Sequence, residues 1–440
     1  MNREHGAGPP EGLGDFEKPK IPKYWPEGLK EQAIKYADID EEGLLKELAQ
    51  VLPPVEIERI REVSRELAAM EKDIVKLDQV DRLRLLWQTS GVMDPGFLRD
   101  DFTVDPRVGR DSMPAFSHNR YQHSKLIGFY VKAVLSRLGE NTVAIKNGVA
   151  TAWFHDSGHS ALAHTGDDFM VKNGVSDHEQ RAIGRLKEPE TQEFLKKHQL
   201  DESQIVDTIQ EQGRFGQLQK VMDTLSYTTI DTAMYGNPKY PDSGAGMIAD
   251  IEGLDPETGG LIVKSTEKWQ DLLETRAEMM QRYYRSEEDM LADNAKLQVV
   301  RLAPKLDRMA GIEDDRTLRP ELVGIYNDFG LWMGIKGFQI VWKDTPFKPK
   351  IDRLVQLATG DRSGWDIKKF ATREEALTEQ ESIPPELRDF SFIMEPYTDY
   401  TDKTLDVYTR GEKGLERHEL RAQKTKLTEE DTMYVVAVPK

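Results

Sequence analysis

Phe154-His155-Asp156-Ser157-Gly158-His159-Ser160-Ala161-Leu162-Ala163-His164 places three imidazoles and a carboxylate in one short stretch. The residues just before it, 149–154, have the apolar content of a buried helix, so the ionisable groups arrive where a helix ends. Adjacent His155 and Asp156 can serve one ion only if the local backbone aims both into one cavity, and Gly158 lets the chain turn there. His155 and His159 are four residues apart, one helical turn, so their rings share a face if the helix reaches that far. A single histidine in such a setting is most simply an interior residue satisfied by neighbours. A cluster of this density asks for a metal or for proton-transfer chemistry.

The surrounding sequence repeats the theme. Six of the nine histidines lie between His118 and His178, a bias that surface chance rarely produces. Ser117-His118-Asn119-Arg120-Tyr121-Gln122-His123-Ser124 precedes an apolar helix expected over about 125–138, which puts His123 at a helix start beside Arg120, a place that suits an anion. Downstream, Asp167, Asp168, His178 and Glu179 continue the ionisable run. Residues 218–235 return to helical spacing with Asp223, Tyr227 and Asp231 at i, i+4 and i+8, which predicts a pocket wall, or else a solvated acidic stripe.

Composition bounds the class. The 440-residue chain can bury a large core, and it has no cysteine, so thiolate ligands and disulfides are excluded and any metal is held by His, Asp or Glu. The absence of thiols favours the cytoplasm. No apolar run approaches the roughly 20 residues that span a bilayer, and the N-terminus lacks a signal-peptide core. The formal charge of -18 disfavours nucleic acid as a partner. Residues 1–28 read as a flexible Gly/Pro-rich tail, 29–344 as a helical domain, 235–260 within it as a turn-rich excursion, and 345–440 as a small α/β lobe. There is no internal repeat and no Gly-rich nucleotide-binding loop.

A divalent ion on two His and two Asp, with open positions for water and a substrate oxygen, suits hydrolysis of phosphate esters and anhydrides. Spare histidines beside carboxylates supply protons, and arginines hold phosphates. The order His123, His155-Asp156, Asp223 resembles the HD-domain metal-dependent phosphohydrolases. The flanking Arg82-Leu83-Arg84 with Gln88, the segment 117–124, and Thr275-Arg276 followed by Tyr284 narrow the resemblance to the deoxynucleoside triphosphate triphosphohydrolases, over about residues 75–290.

That resemblance implies a mostly α-helical HD phosphohydrolase fold with a small C-terminal α/β lobe. It implies one divalent ion (Mg, Mn, Fe or Zn) on His123, His155, Asp156 and Asp223. His159, His164, Asp167, His178 and Glu179 match catalytic positions, with Asp167 orienting an imidazole and Glu179 pairing with His178. Arg120, His159, His164 and Arg276 match triphosphate contacts, and Gln88, Tyr227, Asp231 and Tyr284 match the deoxyribose pocket. On this basis His164, held by Asp167, or His178, kept protonated by Glu179, donates the proton to the leaving oxygen. The implied partners are a nucleotide and further copies of the chain. Thr224 stands where relatives of that family carry a phosphate-binding lysine, Asp81 replaces a usual glutamine, and the loop 91–114 is longer. An HD enzyme acting on monophosphates or other phosphoesters needs no set like Arg120, Arg276 and Tyr284. A non-catalytic nucleotide-binding or scaffold protein has no need of all four ligands.

Overall fold

Side-chain caps fix where the site-bearing helices begin. Asn119 accepts the backbone N–H of Gln122 (2.9 Å) while the Gln122 side chain accepts that of Asn119 (3.0 Å), a reciprocal cap that opens a helix at Arg120. This is five residues ahead of the apolar run, so His123 lies within the helix rather than before it. Asn141 and Asp177 cap the helices that deliver His155 and His178.

The computed structural model describes residues 39–86, 118–234, 239–240, 244–284, 287–309, 328–396, 403–412, 414–423 and 432–440. The tail 1–28, Gln88 and the loop 91–114 lie outside the described residues. The fold is mostly α. Helices α1 (Glu41–Leu48), α2 (Pro54–Ile74), α3 (Arg120–Arg137), α4 (Thr142–Phe154), α5 (Ala163–Lys172), α6 (His178–Leu186), α7 (Pro189–His198), α8 (Glu202–Ile209) and α9 (Gly213–Met234) come first. After a short hairpin follow α10 (Thr266–Met279), which runs on as a π-helical turn Met280–Tyr284, then α11 (Glu287–Met309), α12 (Asp328–Val341), α13 (Lys348–Leu357) and, after one strand, α14 (Arg373–Ser382).

Helix α3 is buried on all sides and not on one face, from Leu126 to Ser136. Its Lys132, fully buried, is tolerated because its ammonium is paired, 2.9 Å from Glu41 and 3.1 Å from Glu71. Burial, opposed by Lys132, raises the pKa of Glu71.

The strands form two sheets. Strands β1 (Ile251–Leu254), inside the stretch read as a turn-rich excursion, and β2 (Leu261–Val263), just past its end, make a hairpin. Strand β3 (Trp365–Phe370) belongs to the other sheet with β4 (Phe392–Met394) and β7 (Tyr434–Pro439), in the order β3-β7-β4. The C-terminal hairpin β5 (Thr404–Gly411) and β6 (Gly414–Arg421) extends the first sheet, β5 lying parallel to β2 with Leu261 opposite Val407. Leu405 and Val407 are fully buried in the same core as α3, α4 and α9.

A second core gathers α11, α12, α13 and the other sheet with Ala161, Leu162, Phe169 and Met170. The segment 155–164 therefore passes from one core, where Phe154 sits, into the other. No helix among the described residues is long and apolar enough to cross a membrane.

Candidate metal centre and adjoining histidine cluster

Helix α4 ends at Phe154, so His155 is its C-cap and His159 lies beyond the helix in a tight turn. Gly158 is required for space rather than for its φ: a Cβ there would overlap the carbonyl oxygen of His178 and crowd the amide of Ala182 on α6. Leu162 and Ala163 both adopt positive φ (67° and 45°), a sparsely populated conformation for such side chains, and it persists because Asp328 accepts the Leu162 amide at 2.6 Å. This contorted segment leaves His159 and His164 facing α6.

His123, His155, Asp156 and Asp223 come together. His123 Nε2 is 2.9 Å from Asp223 Oδ1 and 3.6 Å from Asp156 Oδ2, and His155 Nε2 is 3.3 Å from Asp156 Oδ1 and 3.8 Å from Asp223 Oδ1. His155 Nδ1 lies 2.9 Å from the carbonyl oxygen of Ala152, which only accepts, so in the neutral ring Nε2 presents its lone pair to the cluster. That Nε2 is buried and has no hydrogen-bond partner among the described residues. His123 is set the same way. The Ser226 hydroxyl donates to the His123 carbonyl (3.3 Å) and lies 3.0 Å from His123 Nδ1, so Nε2 is the nitrogen turned toward the cluster, 2.9 Å from Asp223 Oδ1. Two imidazole lone pairs and two carboxylates within a few ångström are a donor set that fits a borderline or hard divalent ion, and these four residues would hold it.

Burial and the neighbouring charges act on each member of the set. Burial pushes the His123 imidazole down to about 4, against the pull of Asp223 and Asp156. At Asp223 burial opposes Lys403 and His123, and these hold its carboxyl well below the usual range. At Asp156 burial is likewise outweighed by Arg120, His155 and His159. For His155, burial is overcome by Asp156 and Asp223, and the pKa rises.

Next to this set is a second group whose ligand atoms also lie close enough to hold an ion, His159, His164, Asp167 and His178, and His159 joins it to Asp156. The two ring nitrogens of His159 each face a carboxylate, Nδ1 at 2.6 Å from Asp167 Oδ2 and Nε2 at 3.2 Å from Asp156 Oδ1. Asp167 also accepts from the Ser160 hydroxyl (2.8 Å) and amide (3.2 Å) and from Arg181. Asp167 thus grips His159 at 2.6 Å, while His164, which also acts electrostatically on Asp167, has its ring nearly perpendicular to that of His159 at 5.0 Å.

His178 stacks flat on His159, centroids 4.1 Å apart, and its carboxylate neighbour is Asp167 at 3.5 Å. Burial first, then the adjacent His159, lower its pKa to about 3. The expectation that Glu179 keeps this ring protonated fails. Among the described residues no ion pair joins Glu179 to His178, and burial with Glu211 and Asp177 raises the Glu179 pKa.

The expected substrate residues line the same region. The Arg120 guanidinium is buried and gives one nitrogen to Asp156 (3.0 Å), while its Nε and Nη2 have no hydrogen-bond partner among the described residues. Arg276 Nε donates to the Tyr227 hydroxyl at 2.7 Å, and the Tyr227 ring lies 6.1 Å from His123 and 6.3 Å from Tyr284. Tyr284 comes from the π-helical turn, a backbone irregularity often found at functional sites. Asp231, fully buried, is 2.6 Å from His118 Nδ1, and burial raises its pKa despite that partner.

Arg82 entered the sequence reading only as part of a motif, and three further supporting residues, Arg181, Ser226 and Lys403, escaped it. Arg82 Nη1 donates to the carbonyls of Ser157 (3.2 Å) and His159 (2.9 Å), and Arg181 Nε to that of Gly158 (2.9 Å), so two arginines clamp the turn. Ser226, three residues after Asp223 on α9, orients the His123 ring, a spacing that could have pointed to it. Lys403 Nζ lies 3.4 Å from Asp223 Oδ2, and nothing in the local sequence signals it.

Fold and site together define a helical protein with a buried His/Asp cluster suited to a metal and a carboxylate-bound imidazole beside it. Among solved structures the chain is similar to a phosphohydrolase from Bacteroides thetaiotaomicron, with a TM-score of 0.54 and 16% identity over 84% of this chain and 95% of that one, a likeness of fold. No family model matches the chain, and no curated protein is similar to it in sequence.

Proposed function

We propose that this chain is an HD-type metal-dependent phosphohydrolase that cleaves deoxynucleoside triphosphates to deoxynucleoside and tripolyphosphate. The observation that carries this reading is Arg120: a buried guanidinium with two unpaired donors, tied by its third nitrogen to Asp156 within the ligand set. Such donors are costly unless an anion completes them. The fold likeness to a phosphohydrolase supports the same class.

In this reading a divalent ion held by His123, His155, Asp156 and Asp223 supplies Lewis-acid chemistry and charge neutralisation when bound. Arg120 and Arg276 bind the phosphate chain. Tyr227, Tyr284 and Asp231 wall the sugar, and Gln88 is assigned there by resemblance alone. Water adds to the phosphorus nearest the sugar, the bond from that phosphorus to the sugar oxygen breaks, and the departing oxygen takes a proton. His159 is the residue for that transfer, because it is both held by Asp167 and in contact with the ligand set through Asp156. His178, neutral at physiological pH, packs the His159 ring in place. His164 is then a phosphate contact.

Hydrolysis in ¹⁸O-labelled water tests the assignment. Attack at the inner phosphorus places the label in tripolyphosphate; label found in orthophosphate instead means terminal phosphate hydrolysis and a different enzyme.

A further inference from the structure

We infer that Lys403 is a phosphate-binding residue of this site, carried to it from the C-terminal hairpin. The inference rests on the phosphohydrolase reading above and deepens it.

Lys403 immediately precedes β5, whose Leu405 and Val407 are fully buried and whose backbone is paired to β2 and β6. The residue's backbone is therefore anchored to the same core as α9, although 180 positions separate Lys403 from Asp223. Its side chain is largely enclosed, at 18% exposure. It reaches Asp223 Oδ2 at 3.4 Å and lies 5.8 Å from the centre of the Tyr227 ring. Tyr227 is also where Arg276 donates its hydrogen bond, so the two cations flank one aromatic ring beside the ligand set.

Charge balance says what this lysine is for. Within the set, the carboxylates of Asp156 and Asp223 are already matched by Arg120 and Lys403. A divalent ion added to that balanced group leaves it doubly positive. A site of that kind is complete only with an anion, and a phosphate chain is the anion whose length and charge meet several cations at once. The contact to Asp223 is single-pronged and near the limit of a hydrogen bond, a poor use of a largely enclosed lysine as a structural pair. The helix itself offers no cation there: Thr224, next to Asp223, is buried with its hydroxyl donated to the Lys220 carbonyl at 3.0 Å. Lysine suits the position because its ammonium can turn from a carboxylate oxygen to a phosphate oxygen without a fixed fork geometry.

The test uses the full chain with Lys403→Gln and Lys403→Arg, and three readouts: bound Mn²⁺ by elemental analysis, binding of inorganic tripolyphosphate in Mn²⁺ by calorimetry, and turnover of a deoxynucleoside triphosphate. The expected result is that Lys403→Gln keeps its Mn²⁺ and its melting temperature but binds tripolyphosphate about ten- to a hundredfold more weakly, with most of the affinity kept in Lys403→Arg. Lys403→Met, which keeps the stem against Tyr227, replaces Lys403→Gln if circular dichroism shows that variant unfolded. Unchanged tripolyphosphate affinity in the neutral variant overturns the inference, as does a wild type that binds no tripolyphosphate. A lysine that only braces Asp223 shifts metal content or melting and leaves tripolyphosphate affinity alone. Turnover separates the two levels. Lys403-dependent tripolyphosphate binding without nucleotide hydrolysis removes the proposed function and keeps the phosphate site, whereas hydrolysis indifferent to Lys403 does the reverse.

Discussion

Replacing Asp167 by Asn removes one charge and almost no volume, and it probes the grip on His159. Asp167 is buried and accepts four donors: His159 Nδ1 at 2.6 Å, the Ser160 hydroxyl and amide, and Arg181. Burial opposes its ionisation, but the surrounding histidines, His159 first and then His178 and His164, hold its carboxyl far below the ordinary range, so it is ionised at any working pH. Asparagine can still accept from Ser160 with its one oxygen, so the turn 157–160 keeps its shape. Its amide faces His159 Nδ1 as a donor where an acceptor stood, and the ring loses its fixed tautomer. A hydrogen bond to a charged partner contributes about 1.5–3 kcal/mol. At about 1.4 kcal/mol per decade this is roughly ten- to a hundredfold in rate, and full loss of proton transfer raises it to about 10²–10⁴. The assay is steady-state turnover of each deoxynucleoside triphosphate with metal content measured in parallel. The expected result is a fall in kcat with bound metal intact. A kcat within about threefold of wild type, metal unchanged, refutes the assignment of His159 and its carboxylate.

Other outcomes follow from the same geometry. Asp223→Ala leaves the helical circular dichroism intact but abolishes stoichiometric Mn²⁺, since it removes the carboxylate facing both imidazole lone pairs; metal equal to wild type means the ligands lie elsewhere. Tyr284→Ala opens the wall beside Tyr227 and lowers the preference for dGTP over GTP by about tenfold or more, and an unchanged ratio removes Tyr284 from the sugar pocket. The metal-free protein loses stability on mild acidification. His123 (to about 4) and His178 (to about 3) have folded pKa values below the unfolded value of roughly 6.5, so below that pH the unfolded chain binds more protons. Their contribution is whole above roughly pH 6.5 and is lost as pH falls through the folded values, partly offset by His155, whose raised pKa acts in the opposite sense. His178→Asn flattens the slope of melting temperature against pH; an identical slope contradicts the burial argument.

The parts of the site that lie close in sequence were legible, because helix ends and i, i+4 spacing are local. The turn 155–164, the helix carrying His123, and the alignment of Asp223, Tyr227 and Asp231 on α9 could be read from residue types alone. Which carboxylate holds which imidazole could not. Asp167 is three residues from His164 and eight from His159, and nothing in that spacing says that its 2.6 Å contact goes to the more distant ring. Strands β1 and β2, four and three residues long, sit among glycines and prolines and carry no alternation. Their partner β5 lies far along the chain, so neither the sheet nor Lys403 has a local signal. Burial, too, is invisible to spacing: His178 beside Glu179 suggests a raised pKa, while enclosure against His159 lowers it.

The most direct test of the central claim is the product formed from each deoxynucleoside and ribonucleoside triphosphate, incubated with the purified protein in Mg²⁺ or Mn²⁺ and resolved by ³¹P NMR. The account predicts intact tripolyphosphate with free deoxynucleoside, dependent on added metal and faster for deoxy than for ribo substrates. Release of orthophosphate or pyrophosphate, or no metal-dependent product from any nucleotide, contradicts it.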